Sequence, residues 1–387
     1  MTAPLSVTYA EGTHRIVAPC ETLARIAPHL GAMGITRLAD ITGLDRIGIP
    51  TWCSIRPRGL LLQVSNGKGT SHASAKVSAL MEAIELWHAE NPAIAFRRAS
   101  AEALRREAEA FLPVEALPDR RAEVHLTERR VIDWVRGEAL LDGTPVWLPA
   151  SAAFLCEPLP TYLSTNGLAA GNHPVEATLH GLYEVIERDA VTRLSRGGLS
   201  LPRGQSRVVD LATLPSGPLG TLYGQLRRAG IALTLIRVET LAPVSTFWAV
   251  IVDPASPFAC SYVNMGHGSH LDPTVAATRA ITEAAQSRLT FIHGAREDLS
   301  SESYEFGEAH ERLRAFFERQ RGELPWSAIR DHASGDLVLD LDRVLAGLSA
   351  AGHTRIYRID LTNPHFAIPV VKVVVPGLQL MEGFMAP

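Results

Sequence analysis

Apolar residues recur at helical spacing in three segments of this chain, and in each the pattern is interrupted by acidic or amide side chains. From His72 to Ala89 the set Ala79, Leu80, Met81, Ala83, Ile84, Leu86 and Trp87 leaves almost no wet face, which predicts a helix surrounded by protein. Its polar exceptions, Ser78, Glu82 and Glu85, fall at i, i+4 and i+7 and form one narrow stripe. A second helix is expected after Pro174, where a first turn tolerates proline, with Asn172 as its N-cap. Leu179, Leu182, Val185 and Ile186 supply its apolar positions, and Glu176, Glu184 and Glu187 break them. The third segment, RAITEAAQSRL, carries Glu283 and Gln286.

Each helix follows a glycine-rich stretch that begins with asparagine: NGKG from Asn66, NGLAAG from Asn166 and NMGHG from Asn264. The first carboxylate follows the asparagine by 16 residues (66 to 82), 18 (166 to 184) and 19 (264 to 283), with a second polar group three positions later. Copies roughly a hundred residues apart exclude a solenoid, whose repeats are much shorter. The pattern predicts three units, each a glycine turn and an acidic helix, that converge on one site. The turn NGKGTS lacks the Walker A spacing, but three such turns ahead of helices predict a phosphate cradle made of backbone N–H groups.

Two like charges at i, i+3 cost an exposed helix only roughly 0.2–0.5 kcal/mol. Buried without partners they cost several kcal/mol each, so these glutamates are paired, protonated or holding a cation. Two readings remain open at this level. One is a seam of ion pairs to arginines on a neighbouring helix; the other is binding of a hard cation such as Mg²⁺, which oxygen ligands favour and which commonly bridges to phosphate. Arg188 adds a fixed cation suited either to a phosphate or to neutralising Glu184 at i−4.

The rest of the chain reads as alternating strands and helices. A helix is expected over ETLARIAPHLGAMG, surface helices between 91 and 130, and strands at VIDWVRG and TPVWLPAS. Further helices are expected at 216–229, from Glu302 to Arg321 and over LVLDLDRVLAGLSAAG. Strands are expected at IALTLIRVE, STFWAVIVD and TRIYRIDLT, and the β-branched run in IPVVKVVVPGL predicts a buried one. The fold class is therefore mixed α/β (α+β). Neither a dinucleotide fingerprint nor a nucleophile elbow, zinc-protease or kinase motif is present.

With 387 residues, 46% of them apolar, the chain has ample core for one large domain or two intimately joined ones. A net charge of −4 favours neither nucleic acid nor an anionic membrane as partner. Cys20, Cys53, Cys156 and Cys260 are scattered without a CxxC pair, so reduced thiols are expected. With no signal peptide or membrane-spanning run, a cytoplasmic location is expected. His72, His173, His180, His267 and His270 near the glycine turns read as caps or packing residues, and Trp87, Trp134, Trp147 and Trp248 as core, with a substrate groove as the alternative. Lys68 reads equally as a phosphate ligand or a solvated turn lysine.

The combination of SNGKG and SALMEAIE, STNGLAAG and GLYEVIERDA, RAITEAAQSR, and the late PVVKVVVPGL resembles the YcaO superfamily over roughly Arg15 to Leu378. The resemblance implies an ATP-binding fold in which glutamates hold Mg²⁺ ions that in turn bind the triphosphate. It implies Glu82, Glu85, Glu176, Glu184 and Glu187 as Mg²⁺ ligands, and Ser78, Asn172, Arg188 and Arg288 as ATP contacts. Arg15 and Thr22 match the family's N-terminal nucleotide contacts by spacing. Residues 1–64 would form the N-terminal part of the domain, 65–378 its ATP-binding core and 379–387 a tail. The implied activity is ATP-dependent activation of a peptide backbone amide, and a homodimer is the default. The chain's end lacks the PxPxP repeat of many azoline-forming members, and its start lacks a leader-binding domain. Both absences favour a stand-alone member working with a TfuA-like partner in thioamide formation. Azoline formation with a separate leader-binding partner is the alternative, and a non-catalytic nucleotide-binding scaffold or regulator is the reading of another class. The C-terminal region associated with ribosomal-protein methylthiolation is not evident.

Overall fold

The computed structural model describes residues 3–117, 127–155, 164–256, 261–299, 301–305 and 307–380. The C-terminal residues 381–387, on which the expectation about the tail bears, lie outside these, as do Cys156 and Cys260.

Strands β1 (Arg37–Asp40), β2 (Thr51–Ile55) and β3 (Val64–Lys68) form an antiparallel sheet in that order. A six-stranded sheet takes β4 (Arg97–Ser100), β5 (Val131–Ala139), β6 (Pro145–Pro149) and β7 (Leu168–Ala170). A third sheet is built from β8 (Ser206–Val208), β9 (Ala232–Val238), β10 (Ser245–Val252) and β11 (Val263–His270), each pairing with the next. Strands β12 (Tyr357–Asp360) and β13 (Val370–Val374) return to the six-stranded sheet, whose order is β4-β5-β12-β13-β7 with β6 alongside β5. All five residues of β13 are buried, as its β-branched run predicts. The helices are α1 (Pro19–Ile26), α2 (His72–Glu90), α3 (Ala101–Arg106), α4 (Pro174–Ser195), α5 (Pro218–Arg228), α6 (Pro273–His293), α7 (Glu308–Glu318) and α8 (Leu337–Ala350). No helix among the described residues is long and apolar enough to cross a membrane.

Several expected elements differ. The N-terminal helix stops at Ile26 and continues only as a 3-10 turn, Ala27–His29, because Pro28 cannot donate to an α-helical ladder. Between 91 and 130 the described residues form strand β4 and the short α3 rather than a series of surface helices. The second acidic helix is capped by His173, whose Nδ1 accepts the Val175 amide at 3.2 Å, so Asn172 is not its N-cap.

The largest difference concerns the glycine stretches. Asn66–Lys68 belongs to β3 and Asn264–Gly268 to β11, so two of the three expected turns are extended strands; in the other, strand β7 occupies Leu168–Ala170. Their glycines let a helix backbone lie directly on a strand backbone. A Cβ on Gly67 would sit 2.0 Å from the Ala79 nitrogen, and one on Gly266 would sit 2.2 Å from the Ala284 nitrogen. At Gly171 the corresponding approach to the Ala177 nitrogen is 2.7 Å. The facing helix positions, Ala79, Ala177 and Ala284, are fully buried alanines, which complete the close fit.

Each acidic helix therefore packs on the strand that precedes it, α2 on β3, α4 on β7 and α6 on β11. Each also touches the strand of another unit: α2 meets β7, α4 meets β11 and α6 meets β3. The three units close into a ring. Asn66 Nδ2 donates to Thr290 Oγ1 at 2.8 Å across one of these junctions, and the ring of Tyr183 lies 4.7 Å from that of His270 across another.

The strand-to-helix fit can be tested by Gly266→Ala. It should lower the unfolding free energy by roughly 1–3 kcal/mol or more, because the added methyl meets backbone that cannot yield. Gly224→Ala, in α5 with open space around the added carbon, should be neutral or slightly stabilising. Chemical denaturation of both variants checks this, and equal behaviour would contradict backbone-to-backbone packing.

Candidate active site

The ring encloses a cavity of about 690 Å³. Its walls carry the same stripe from all three helices, at i, i+4 and i+7: Ser78, Glu82 and Glu85 on α2; His180, Glu184 and Glu187 on α4; Arg279, Glu283 and Gln286 on α6. Nine side chains from distant parts of the chain thus face one space. Arg15, Thr22, Lys68, Asn172, Glu176, Arg188, His267 and Arg296 are among the other polar residues of the lining.

The carboxylates lie deep in the protein although they face the cavity, which is why Glu82, Glu85 and Glu184 count as half-buried rather than buried. Burial pushes Glu82 up to about 7; Arg296 and Lys68 oppose the rise, and Glu184 and Glu283 add to it. Glu85 is raised well above the ordinary range, first by burial, despite accepting the Ala170 amide at 2.6 Å, with Glu184 and Glu82 repelling its charge. Burial also raises Glu184, against the pull of Arg188.

Glu283 behaves oppositely. Burial works against its charge, but Lys68, the His267 contact and Arg188 hold it well below the usual carboxylate range. Lys68 Nζ lies 2.7 Å from one of its oxygens, and the His267 amide donates to the other at 3.2 Å. Among the described residues Glu82, Glu85 and Glu184 have no cation held as closely, whereas Glu283 does.

The N-terminal segment closes one side. Arg15 lies 3.7 Å from Glu176, and the Ile16 amide donates to Glu176 at 3.1 Å. Asn172 donates to Glu176 through its amide and its side chain, both at 3.0 Å, and accepts Thr22 Oγ1 at 3.0 Å. Glu176 therefore faces the cavity already tied to this strap. Arg188 sits 4.0 Å from Glu187.

Arg288 does not line the cavity, which corrects its expected place as a nucleotide contact. It is buried between Asp45 at 2.9 Å and Asp253 at 3.0 Å and donates to the Ser261 carbonyl, a structural network on the far side of α6. The arginine of this helix that faces the cavity is Arg279, nine residues earlier. The signal for it was present, since Arg279 stands to Glu283 as Ser78 stands to Glu82.

Among the described residues no three His, Cys, Asp or Glu side chains are arranged to enclose a metal by themselves. Mg²⁺ keeps waters and takes one or two carboxylates together with phosphate oxygens. Carboxylates driven toward protonation by burial and mutual repulsion, opposite Arg15, Arg188 and Arg279, form a donor set that fits a divalent cation bound with a polyphosphate.

Comparisons with known proteins agree with this chemistry. The family model described as YcaO cyclodehydratase, ATP- and Mg²⁺-binding, matches residues 66–379. An uncharacterized protein of Mycobacterium tuberculosis is 37% identical over 394 residues, covering 98% of this chain and 86% of its own length. An uncharacterized protein in the tfuA 3′ region of Rhizobium leguminosarum bv. trifolii is 34% identical over 379 residues, covering 95% of this chain and 89% of its own. The structure of YcaO from Methanopyrus kandleri bound with AMPPCP and Mg²⁺ superposes with a TM-score of 0.77 at 25% identity, covering 99% of this chain and 98% of that one.

The carboxylate cluster makes stability depend on pH. In the unfolded chain these glutamates ionise near 4.5, whereas in the fold Glu82 does so only at about 7. Stability is thus fully present below the unfolded value and lost as pH rises through the folded one. Thermal melts of metal-free protein should show stability falling between about pH 5 and about pH 8, and Glu82→Gln, which cannot ionise, should flatten that slope. A slope left unchanged by the substitution would contradict the electrostatic description.

Proposed function

This chain belongs to the YcaO family, and from that membership we propose that it uses Mg²⁺-ATP to activate a backbone amide of a ribosomally made peptide for conversion to a thioamide. The family's domain binds ATP and Mg²⁺. The observation that carries the reading is the convergence of three polar stripes, two of them acidic, on one cavity that also holds fixed cations.

In this reading Glu82, Glu85, Glu184 and Glu187 hold Mg²⁺, and Glu176 adds an oxygen from the N-terminal strap. Arg15, Arg188 and Arg279 face the triphosphate, while Ser78, Thr22 and Asn172 supply short polar contacts to the nucleotide. Bound Mg²⁺ withdraws charge from the phosphate oxygens during transfer. A sulfide equivalent adds to the amide carbonyl, and the resulting oxyanion attacks the γ-phosphate, releasing ADP. Expulsion of inorganic phosphate then carries away the former amide oxygen and leaves the C=S bond. The chain's own task is to align these groups in a space shielded from bulk water and to meet developing negative charge with guanidinium groups already in place.

The relative in a tfuA 3′ region supports thioamidation with a TfuA-like partner supplying sulfur. The family description as a cyclodehydratase supports the second reading, in which a neighbouring Cys, Ser or Thr side chain is the nucleophile and the product is an azoline formed with a separate leader-binding partner. A cytoplasmic homodimer is the working form under either reading.

Co-expression with a TfuA-like protein and a candidate precursor peptide, followed by intact-mass analysis, separates the products. Thioamidation predicts a mass gain equal to replacement of oxygen by sulfur, dependent on ATP and lost in Glu187→Gln. A mass loss equal to one water would instead establish azoline formation. An unmodified peptide in the presence of ATP hydrolysis would reject both readings for that peptide.

A further inference from the structure

Behind the wall formed by Arg15, Glu176, His180 and Arg279 lies a second, much smaller chamber of about 20 Å³, also lined by His14, Tyr183 and His270. Its polar groups come from the N-terminal strap, α4, β11 and α6, and Leu337 of α8 also lines it. Its volume is that of a single water molecule. Three buried polar atoms of its lining, Arg279 Nε, His14 Nδ1 and His180 Nδ1, find no hydrogen-bond partner among the described residues.

His180 is one of the wall residues that line both this chamber and the large cavity. Its Nε2 stands 3.3 Å from an Arg279 terminal nitrogen. Arginine can only donate, so Nε2 accepts and the imidazole is neutral with its proton on Nδ1. The Ala170 carbonyl is close enough to favour that tautomer, though not in ordinary hydrogen-bond geometry. Burial, then the charges of Arg279, Arg15 and Lys68, hold His180 well below its ordinary pKa, which keeps the acceptor available.

We infer that His180, with one ordered water in the chamber behind it, is a positioning residue that fixes the Arg279 guanidinium toward the nucleotide. The water accepts from Arg279 Nε and meets His14 Nδ1, so the guanidinium is held on its inner edge while its remaining donors face the cavity. His180 occupies on α4 the stripe position that Ser78 and Arg279 occupy on their helices. Its contribution reaches the nucleotide through the arginine, and the inference rests on the Mg²⁺-ATP reading of the large cavity.

Two measurements test it. In calorimetric titrations with Mg²⁺-ATP, His180→Leu should weaken binding about tenfold, whereas His180→Gln, whose carbonyl replaces the Nε2 acceptor, should stay within about threefold. In an Arg279→Met background, His180→Leu should have no further effect, because the group it positions is gone. Equal losses in both backgrounds, or no loss from His180→Leu in either, would overturn the inference. Independently of nucleotide, ¹⁵N-detected histidine spectra of the wild-type protein should show His180 neutral, with its proton on Nδ1, from about pH 6 to about pH 8. A protonated ring or the Nε2–H tautomer would overturn the inference even if ATP binds. Failure of the wild-type protein to bind Mg²⁺-ATP, with the expected tautomer present, would count against the nucleotide reading and leave the contact itself established.

Discussion

Everything in the site depends on how closely three helices lie on the strands that precede them. A side chain at Gly67, Gly171 or Gly266 would collide with helix backbone, so glycine at these positions sets the distance, and buried alanines on the helices match it. That contact fixes each helix in rotation as well as position, because only its alanine face can approach the strand. The polar stripe at i, i+4 and i+7, which runs beside that face, is then directed into the cavity. Each helix also meets the strand of another unit, so the stripes converge instead of facing solvent in three directions.

Convergence creates an electrostatic problem that the fold solves only in part. Glu283 has its own cation, Lys68, delivered from another unit across the ring at 2.7 Å. Among the described residues Glu82, Glu85 and Glu184 have no equivalent, and burial with mutual repulsion pushes each toward its protonated form. A protein built this way stores an affinity for divalent cation in its carboxylates and an affinity for phosphate in its arginines. The two are satisfied together by a metal-bound polyphosphate, more fully than by either component alone.

Much of this was legible in the sequence because helical periodicity is local. The acidic stripes of α2 and α4 were visible as charges inside apolar patterns, and the threefold recurrence of asparagine, glycine and acidic helix pointed to one shared site. The role of the glycines was misread, since a glycine-rich run before a helix looks alike whether it turns to bind phosphate or extends to let a helix approach. The family resemblance implies Arg288 as a nucleotide contact, and the sequence cannot say that Asp45 and Asp253, distant along the chain, converge to neutralise it. Asn172 lost its place as N-cap to His173 for a similar reason: its contacts are with Thr22 and Glu176, and the first of these is long-range. Long-range pairing, more than local propensity, is what the sequence left hidden.

The central claim is that the three helices build one site for Mg²⁺ and ATP together. The most direct measurement is a calorimetric titration of the purified protein with ATP, with and without Mg²⁺, beside Glu187→Gln. The account predicts binding that requires Mg²⁺ and is lost or strongly weakened in the variant. Equal ATP affinity with and without Mg²⁺, unchanged by Glu187→Gln in folded protein, would contradict it.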